Sequence, residues 1–157
     1  MRTGIGYDVH RFCDGEAVTL GGVRIPYGRG LEGHSDADVL VHALMDAVLG
    51  AAGLPDIGVL FPNDDPVYAG RSSIELAAKV RRQVEQKGLR VTQVDCVLIA
   101  EEPRISPHWS QMKSAIALAF GLPEEYVGIK ATTNEGLGFV GRREGICALA
   151  IALLDNA

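Results

Sequence analysis

The sequence predicts one α/β (or α+β) domain, a single layer of mixed sheet with helices packed on one face. Three observations carry that prediction. Stretches of alternating or continuous apolar character, rich in Val, Ile and Leu, take turns with stretches whose apolar residues recur at intervals of three and four. Ser- and Asp-led starts and glycine stops punctuate the helical stretches. The 157 residues contain no repeat, low-complexity tract or linker. Residues 1–157 are therefore expected to form a single domain, large enough to build a core without disulfides.

Residues 1–12 read as the first strand. Ile5, Tyr7 and Val9 fall on one face, and Gly6, Asp8 and His10 on the other. Cys13-Asp14-Gly15-Glu16 is a turn by its Asp-Gly pair. Val18 to Leu20 and Val23 to Pro26 form a hairpin around Gly21-Gly22. The loop Gly28 to Gly33 delivers His34-Ser35-Asp36. Ser35, with Asp38 three residues on, predicts a capping box for the first long helix, which ends between Gly50 and Gly53. Residues 55–66 carry Pro55, Pro62, Pro66 and the acids Asp56, Asp64 and Asp65, and read as one long loop.

Ser72 and Glu75 predict a second capping box, opening a helix through Ile74, Ala77, Val80 and Val84 to the stop at Gly88. Leu89 to Ala100 is a strand apolar on both faces, hence central. After a loop at 101–105, Ser106 is the N-cap and Pro107 the first-turn residue of a third helix. That helix places Trp109, Met112, Ile116 and Phe120 at core spacing and stops at Gly121. Tyr126 to Thr133 and Gly145 to Leu154 are the remaining strands, joined through a glycine-rich turn.

Composition excludes some functions. A net charge of −5 argues against a general nucleic-acid binder, which needs a basic face. The longest apolar run, Ile146 to Leu154, is too short to cross a membrane. Cys13, Cys96 and Cys147 are odd in number and lack metal-site spacing, as expected of reduced thiols. The N-terminus enters a strand without a signal segment, so the chain is expected in the cytoplasm, or in a plastid after removal of a transit segment.

Two stretches carry chemistry. Asp8 and His10 point the same way from one strand, a carboxylate and an imidazole suited to a divalent metal. His42 is the best third ligand. It lies between Asp38 and Asp46 at i, i+4, i+8, a polar line on an otherwise apolar helix. A metal with the two carboxylates behind its ligands would give that line its partners. A hydrogen-bonded Asp-His pair and a satisfied core histidine are the plain alternatives. The second stretch runs from Lys130 to Arg142. Thr132, Thr133 and Glu135, followed by glycines, could hold phosphate oxygens and a hard cation, or could be a strand end and its turn. No GxxxxGK[ST] motif is present.

Taken together, Tyr7-Asp8-Val9-His10, His34-Ser35-Asp36, His42, Asp56-Ile57-Gly58, Phe61-Pro62-x-Asp64-Asp65, Ala131-Thr132-Thr133 and Gly138-Phe139-x-Gly141-Arg142-x-Glu144-Gly145 resemble the 2-C-methyl-D-erythritol 2,4-cyclodiphosphate synthase family over nearly the whole chain. The resemblance implies a homotrimer whose three sheets face a central cavity, with active sites between protomers. The implied reaction belongs to the non-mevalonate route to isoprenoid precursors. The 2-phosphate of 4-diphosphocytidyl-2-C-methyl-D-erythritol 2-phosphate attacks the β-phosphorus, the ring closes, and CMP leaves. A fused nucleotidyltransferase, known in some members, does not fit in 157 residues.

The resemblance also implies roles. Zn²⁺ would sit on Asp8, His10 and His42, and Mg²⁺ or Mn²⁺ on Glu135. His34 and Thr133 would flank the transferred phosphate as catalytic residues. Ser35, Asp56, Ile57, Gly58, Phe61, Pro62, Asn63, Asp64 and Asp65 would hold the methylerythritol phosphate end. Ala100, Glu101, Glu102, Pro103, Arg104, Ile105, Ser106 and Thr132, with Asn134 beside it, would hold the cytidine. Phe139 and Arg142 would line the trimer cavity, where an isoprenoid diphosphate could bind. Arg104 stands where the family usually has Lys, and Asn134 where it often has Thr, which touches nucleotide-loop detail. A metal-dependent phosphohydrolase and a non-enzymatic binder of isoprenoid diphosphates remain as rival classes.

Overall fold

The computed structural model describes residues 1–62 and 64–157. Its central sheet has five strands in the order β4-β1-β7-β5-β6. These are β1 (Arg2–Cys13), β4 (Gly30–Leu31), β5 (Leu89–Ile99), β6 (Val127–Thr132) and β7 (Gly145–Asn156). The β5–β6 pair is parallel and the others antiparallel, so the sheet is mixed as the sequence predicts. A separate hairpin, β2 (Ala17–Leu20) with β3 (Val23–Pro26), turns at Gly21-Gly22.

Three long helices cover one face: α1 (Val39–Ala52), α3 (Ser73–Gln86) and α4 (Trp109–Phe120). Short helices α2 (Ile57–Leu60) and α5 (Gly138–Gly141) lie in connections. Residues 55–66, expected as one long loop, contain α2 and the start of a 3₁₀ turn. Asp56 caps α2 by accepting from the Val59 amide at 3.1 Å, and Asp65 caps a 3₁₀ turn over Pro66–Tyr68. Asp56 and Asp65 are therefore N-caps.

Helix α1 lies in the middle of the protein. Twelve of its residues are buried, wedged between the sheet and α3. Its contact with β1 is backbone to backbone. Gly4 and Gly6 face Ala43, Ala47 and Ala51, and a Cβ on Gly6 would stand 2.7 Å from the Ala47 amide nitrogen. The small residues let the helix sink onto the strand, which brings His42 down to Asp8 and His10.

The opposite face of β1 is open. Ile5 and Tyr7 are 67% and 54% exposed, and they pair across strands with Ile151 and Leu149, also exposed. The strand therefore presents its polar and glycine face to the helix and its apolar face outward.

The helix starts shift from the sequence expectation. Ser35 does not cap α1. Asp38 does, accepting from the Val41 amide at 3.1 Å and from Gly21 and Gly22 at 2.9 and 2.6 Å. One buried carboxylate thus fixes the helix start and the tip of the hairpin. Ser72 holds the N-cap position of α3 but makes no side-chain cap bond. Ser106-Pro107-His108 forms a 3₁₀ turn capped by Ile105, one residue earlier than expected, before α4 begins at Trp109.

Candidate active site

Strand β1 and helix α1 converge on three side chains. The Asp8 Oδ2 atom lies 3.0 Å from His10 Nε2 and 3.1 Å from His42 Nδ1. The two ring nitrogens are 3.1 Å apart. Among the described residues, Asp8, His10 and His42 form the group whose ligand atoms could hold a metal ion.

The hydrogen bonds behind the rings test that fit. His10 Nδ1 is 2.6 Å from the Glu32 carbonyl oxygen. A carbonyl only accepts, so Nδ1 carries the proton and Nε2 presents a lone pair. Gly33 packs against the same ring, where a Cβ would stand 3.1 Å from His10 Cε1. His42 turns Nε2 toward Ser73 Oγ at 2.9 Å and Nδ1 toward Asp8. With the His42 proton on Nε2, two lone pairs and a carboxylate meet within about 3 Å, a set that attracts a cation, either a metal ion or a proton held on the imidazoles. A triangle of this size is slightly smaller than the face of a tetrahedron with ligand distances of roughly 2.0–2.2 Å, whose edges are about 3.3–3.6 Å, so the three side chains need to open by only a few tenths of an ångström around an ion, with a fourth position left open. The residues fit a divalent metal.

Without an ion the cluster acts on itself. Burial works against the Asp8 carboxylate, but bonds to His10 and His42 overcome it and hold Asp8 down at about 2. Burial likewise opposes His10 protonation, and the Asp8 carboxylate outweighs it, raising the His10 pKa.

The polar line on α1 resolves differently from the expectation. Neither Asp38 nor Asp46 contacts a ligand of this cluster through a hydrogen bond. Asp38 takes backbone amides as described, and Asp46 accepts from the Ile57 amide at 2.9 Å. Both carboxylates hold loops to the helix.

The metal cluster opens on a cavity of about 260 Å³ lined also by His34, Ser35, Ile57, Gly58 and Phe61. His34 Nε2 is 3.3 Å from the Asp65 carbonyl oxygen. Ser35 Oγ is 3.1 Å from His42 Nε2. Pro62 is half-buried and Asp64 exposed, while Asn63 lies outside the described residues.

A second cavity, of about 530 Å³, is lined by Ala100, Glu101, Pro103 to Ser106, Thr132 and Thr133. Glu102 points away, accepting from Tyr27 Oη at 3.1 Å. Glu101 accepts the Asn134 and Gly136 amides at 3.0 and 3.2 Å, pinning the loop between β6 and α5. In that loop Thr133 Oγ1 donates to Glu135 at 3.1 Å. Phe139 sits in α5, and Arg142 pairs with Glu144 at 2.8 Å on the exposed surface. Trp109 is a correction: the sequence places it in the core, but it is 48% exposed and lines this cavity. Its spacing from Met112 suits a core face, but it is the first residue of α4 and overhangs the loop.

Residues 1–155 match the model of the YgbB family. The 2-C-methyl-D-erythritol 2,4-cyclodiphosphate synthase of Akkermansia muciniphila is 56% identical over 153 residues, covering 97% of this chain and 90% of its own. The bifunctional IspDF of Campylobacter jejuni superposes with a TM-score of 0.95 at 40% identity, over 99% of this chain and 42% of that one. The Plasmodium falciparum IspF CDP complex superposes at 0.85 and 32% identity, over 99% and 96%. With the fold, the Asp-His-His cluster and near-full-length identity in agreement, the chain belongs to the YgbB family, the 2-C-methyl-D-erythritol 2,4-cyclodiphosphate synthases.

Proposed function

We propose that residues 1–157 act as one domain that converts 4-diphosphocytidyl-2-C-methyl-D-erythritol 2-phosphate to 2-C-methyl-D-erythritol 2,4-cyclodiphosphate and CMP, as a metal-dependent lyase. The observation that carries this reading is the Asp8–His10–His42 triangle at the mouth of a cavity, in a chain 56% identical to a synthase of that name. A zinc ion there would polarise a phosphoryl oxygen and offset charge on the diphosphate. The residues around it supply positioning. His34 and Ser35 hold the 2-phosphate end near the cluster, and the Ile57–Phe61 segment closes on the methylerythritol carbons. The second cavity is sized for a nucleoside, and a structural neighbour is a CDP complex. Thr133 would hold a phosphate oxygen through its hydroxyl, and Glu135 would hold Mg²⁺ or Mn²⁺, which would offset charge on the diphosphate.

The active form is a homotrimer whose sites lie between protomers. The sheet order supports this. Strand β1, which bears Asp8, is separated from β6, which leads to Glu135, by β7 and β5. Three strand spacings are about 14 Å, too far for one diphosphate to touch both groups. The open apolar face at Ile5, Tyr7, Leu149 and Ile151 supports burial of the sheets against one another, around a cavity near Phe139 and Arg142 that admits an isoprenoid diphosphate. No described helix is long and apolar enough to cross a membrane. Likeness to bacterial synthases supports a cytoplasmic location.

Phosphorus NMR of the product tests the reaction. Two coupled resonances of a cyclic diphosphate, with release of CMP, are expected. Linear phosphates would favour a hydrolase and overturn the cyclase reading.

A further inference from the structure

The hydroxyl of Ser73 is fully buried at the first residue of α3 and lies between two partners. On one side is His42 Nε2, at 2.9 Å. On the other is the Asp36 carboxylate, in a very short contact with Oδ1. Asp36 is itself fixed, because Oδ2 accepts the Ser73 amide at 3.0 Å and its own amide donates to the Arg71 carbonyl oxygen at 3.1 Å.

A hydroxyl has one proton to give. An ionised carboxylate can only accept, so the Ser73 proton goes to Asp36. Toward His42, Ser73 can then only accept, and it draws the ring proton to Nε2, in competition with the Asp8 carboxylate 3.1 Å from Nδ1. With the proton on Nε2, a neutral ring offers Nδ1 as the lone pair turned toward Asp8 and His10.

Ser35 makes the arrangement necessary. Its hydroxyl is also within reach of His42 Nε2, at 3.1 Å, and is held as an acceptor there only through Ser73, whose Oγ can take the Ser35 proton at 3.4 Å. Acting alone, Ser35 could donate to Nε2 and move the ring proton to Nδ1, which would block the metal face.

We infer that Asp36 and Ser73 are positioning residues for the metal: Asp36 orients the Ser73 hydroxyl, and Ser73 locks His42 in the tautomer that offers Nδ1. The inference rests on the metal reading of the Asp8–His10–His42 cluster and extends it to two residues that contact no substrate. It also explains why Ser73 makes no use of its hydroxyl within its own helix. The usual partner of a metal-bound histidine is a carboxylate or a carbonyl; here the carboxylate acts through an intervening serine.

Three variants separate this role from packing. Ser73→Ala removes the acceptor and leaves Ser35. Ser73→Thr keeps the hydroxyl. Asp36→Asn supplies an amide that can donate to Ser73 and reverse the polarity of the chain. Zinc affinity is measured by competition with a chromophoric chelator, and the His42 tautomer by nitrogen-15 chemical shifts in the metal-free protein. Ser73→Ala and Asp36→Asn are expected to lose roughly 10–100-fold in zinc affinity, the range seen when the partner of a ligating histidine is removed. Both are expected to shift His42 toward the Nδ1–H form while circular dichroism stays that of the wild type. Ser73→Thr is expected to restore both readouts. Wild-type affinity and an Nε2–H ring in folded Ser73→Ala would overturn the inference, as would equal losses in Ala and Thr. A wild type that binds no zinc would overturn the metal reading instead, and the nitrogen shifts would still decide the role of Ser73.

Discussion

Gly6 of β1 lies against the Ala43 carbonyl of α1 with no room between them for a side chain. That contact sets the height of α1 above the sheet one residue from His42. The metal cluster is therefore built on a glycine two residues before its first ligand.

Gly6→Ala should separate the two elements. The added methyl meets the α1 backbone at Ala43 and Ala47, so no flexible group can yield. Overpacking of this kind costs about 1–3 kcal/mol. Chemical denaturation is expected to show a loss in that range, and the folded fraction is expected to bind zinc more weakly, because His42 rides on the displaced helix. A wild-type zinc affinity in folded Gly6→Ala would mean that the ligand geometry does not depend on this contact.

Glu135→Gln tests the oxygen-ligand site alone. Glu135 is exposed and bonded only within its loop, by Thr133. The substitution is expected to leave fold and zinc content intact. Turnover should drop steeply and lose its response to added Mg²⁺ or Mn²⁺, since a neutral amide is a poor ligand for a hard cation. An unchanged metal response would remove Glu135 from the site.

The metal-free and metal-bound proteins should respond oppositely to pH. Asp8 is held at about 2, below its ordinary 3.8, so its contribution is present above 3.8 and lost as pH falls toward about 2. The pKa of His10 is raised above 6.5, so its contribution is present below 6.5 and lost as pH rises through the folded value. Counting these two groups, the metal-free protein gains most between about 4 and 6.5. Zinc competes with the His10 proton, so its stabilisation grows as pH rises. Melting curves of both forms from pH 5 to 8 are expected to diverge upward with pH. Parallel curves would contradict the ligand assignment.

Much of this was legible in the chain itself. The alternation in Ile5 to His10 put Asp8 and His10 on one side of a strand, and the i, i+4, i+8 line marked the inner side of α1. What the pattern could not show was which partner each polar residue takes. Asp38 looked like support for a metal and is a cap for α1 and the hairpin tip, because a carboxylate buried near three free amides takes those first. Ser35 looked like a cap and lies beside His42 instead. Asp36 and Ser73 are 37 positions apart, and nothing local joins them. Trp109 follows the helical period but sits at a helix start, where the period no longer guarantees burial.

Completion of each site by two protomers is tested most directly by subunit mixing. His42→Ala breaks the metal half and Thr133→Ala the phosphate half. Each variant is expected to form trimers that are nearly inactive. Unfolded, mixed equally and refolded, they should pair a sound metal half with a sound phosphate half at about one quarter of interfaces in a closed ring. Activity is expected to rise toward a quarter of wild type. Mixed trimers on native gels with activity no higher than either single variant would place the whole site within one chain and contradict the account.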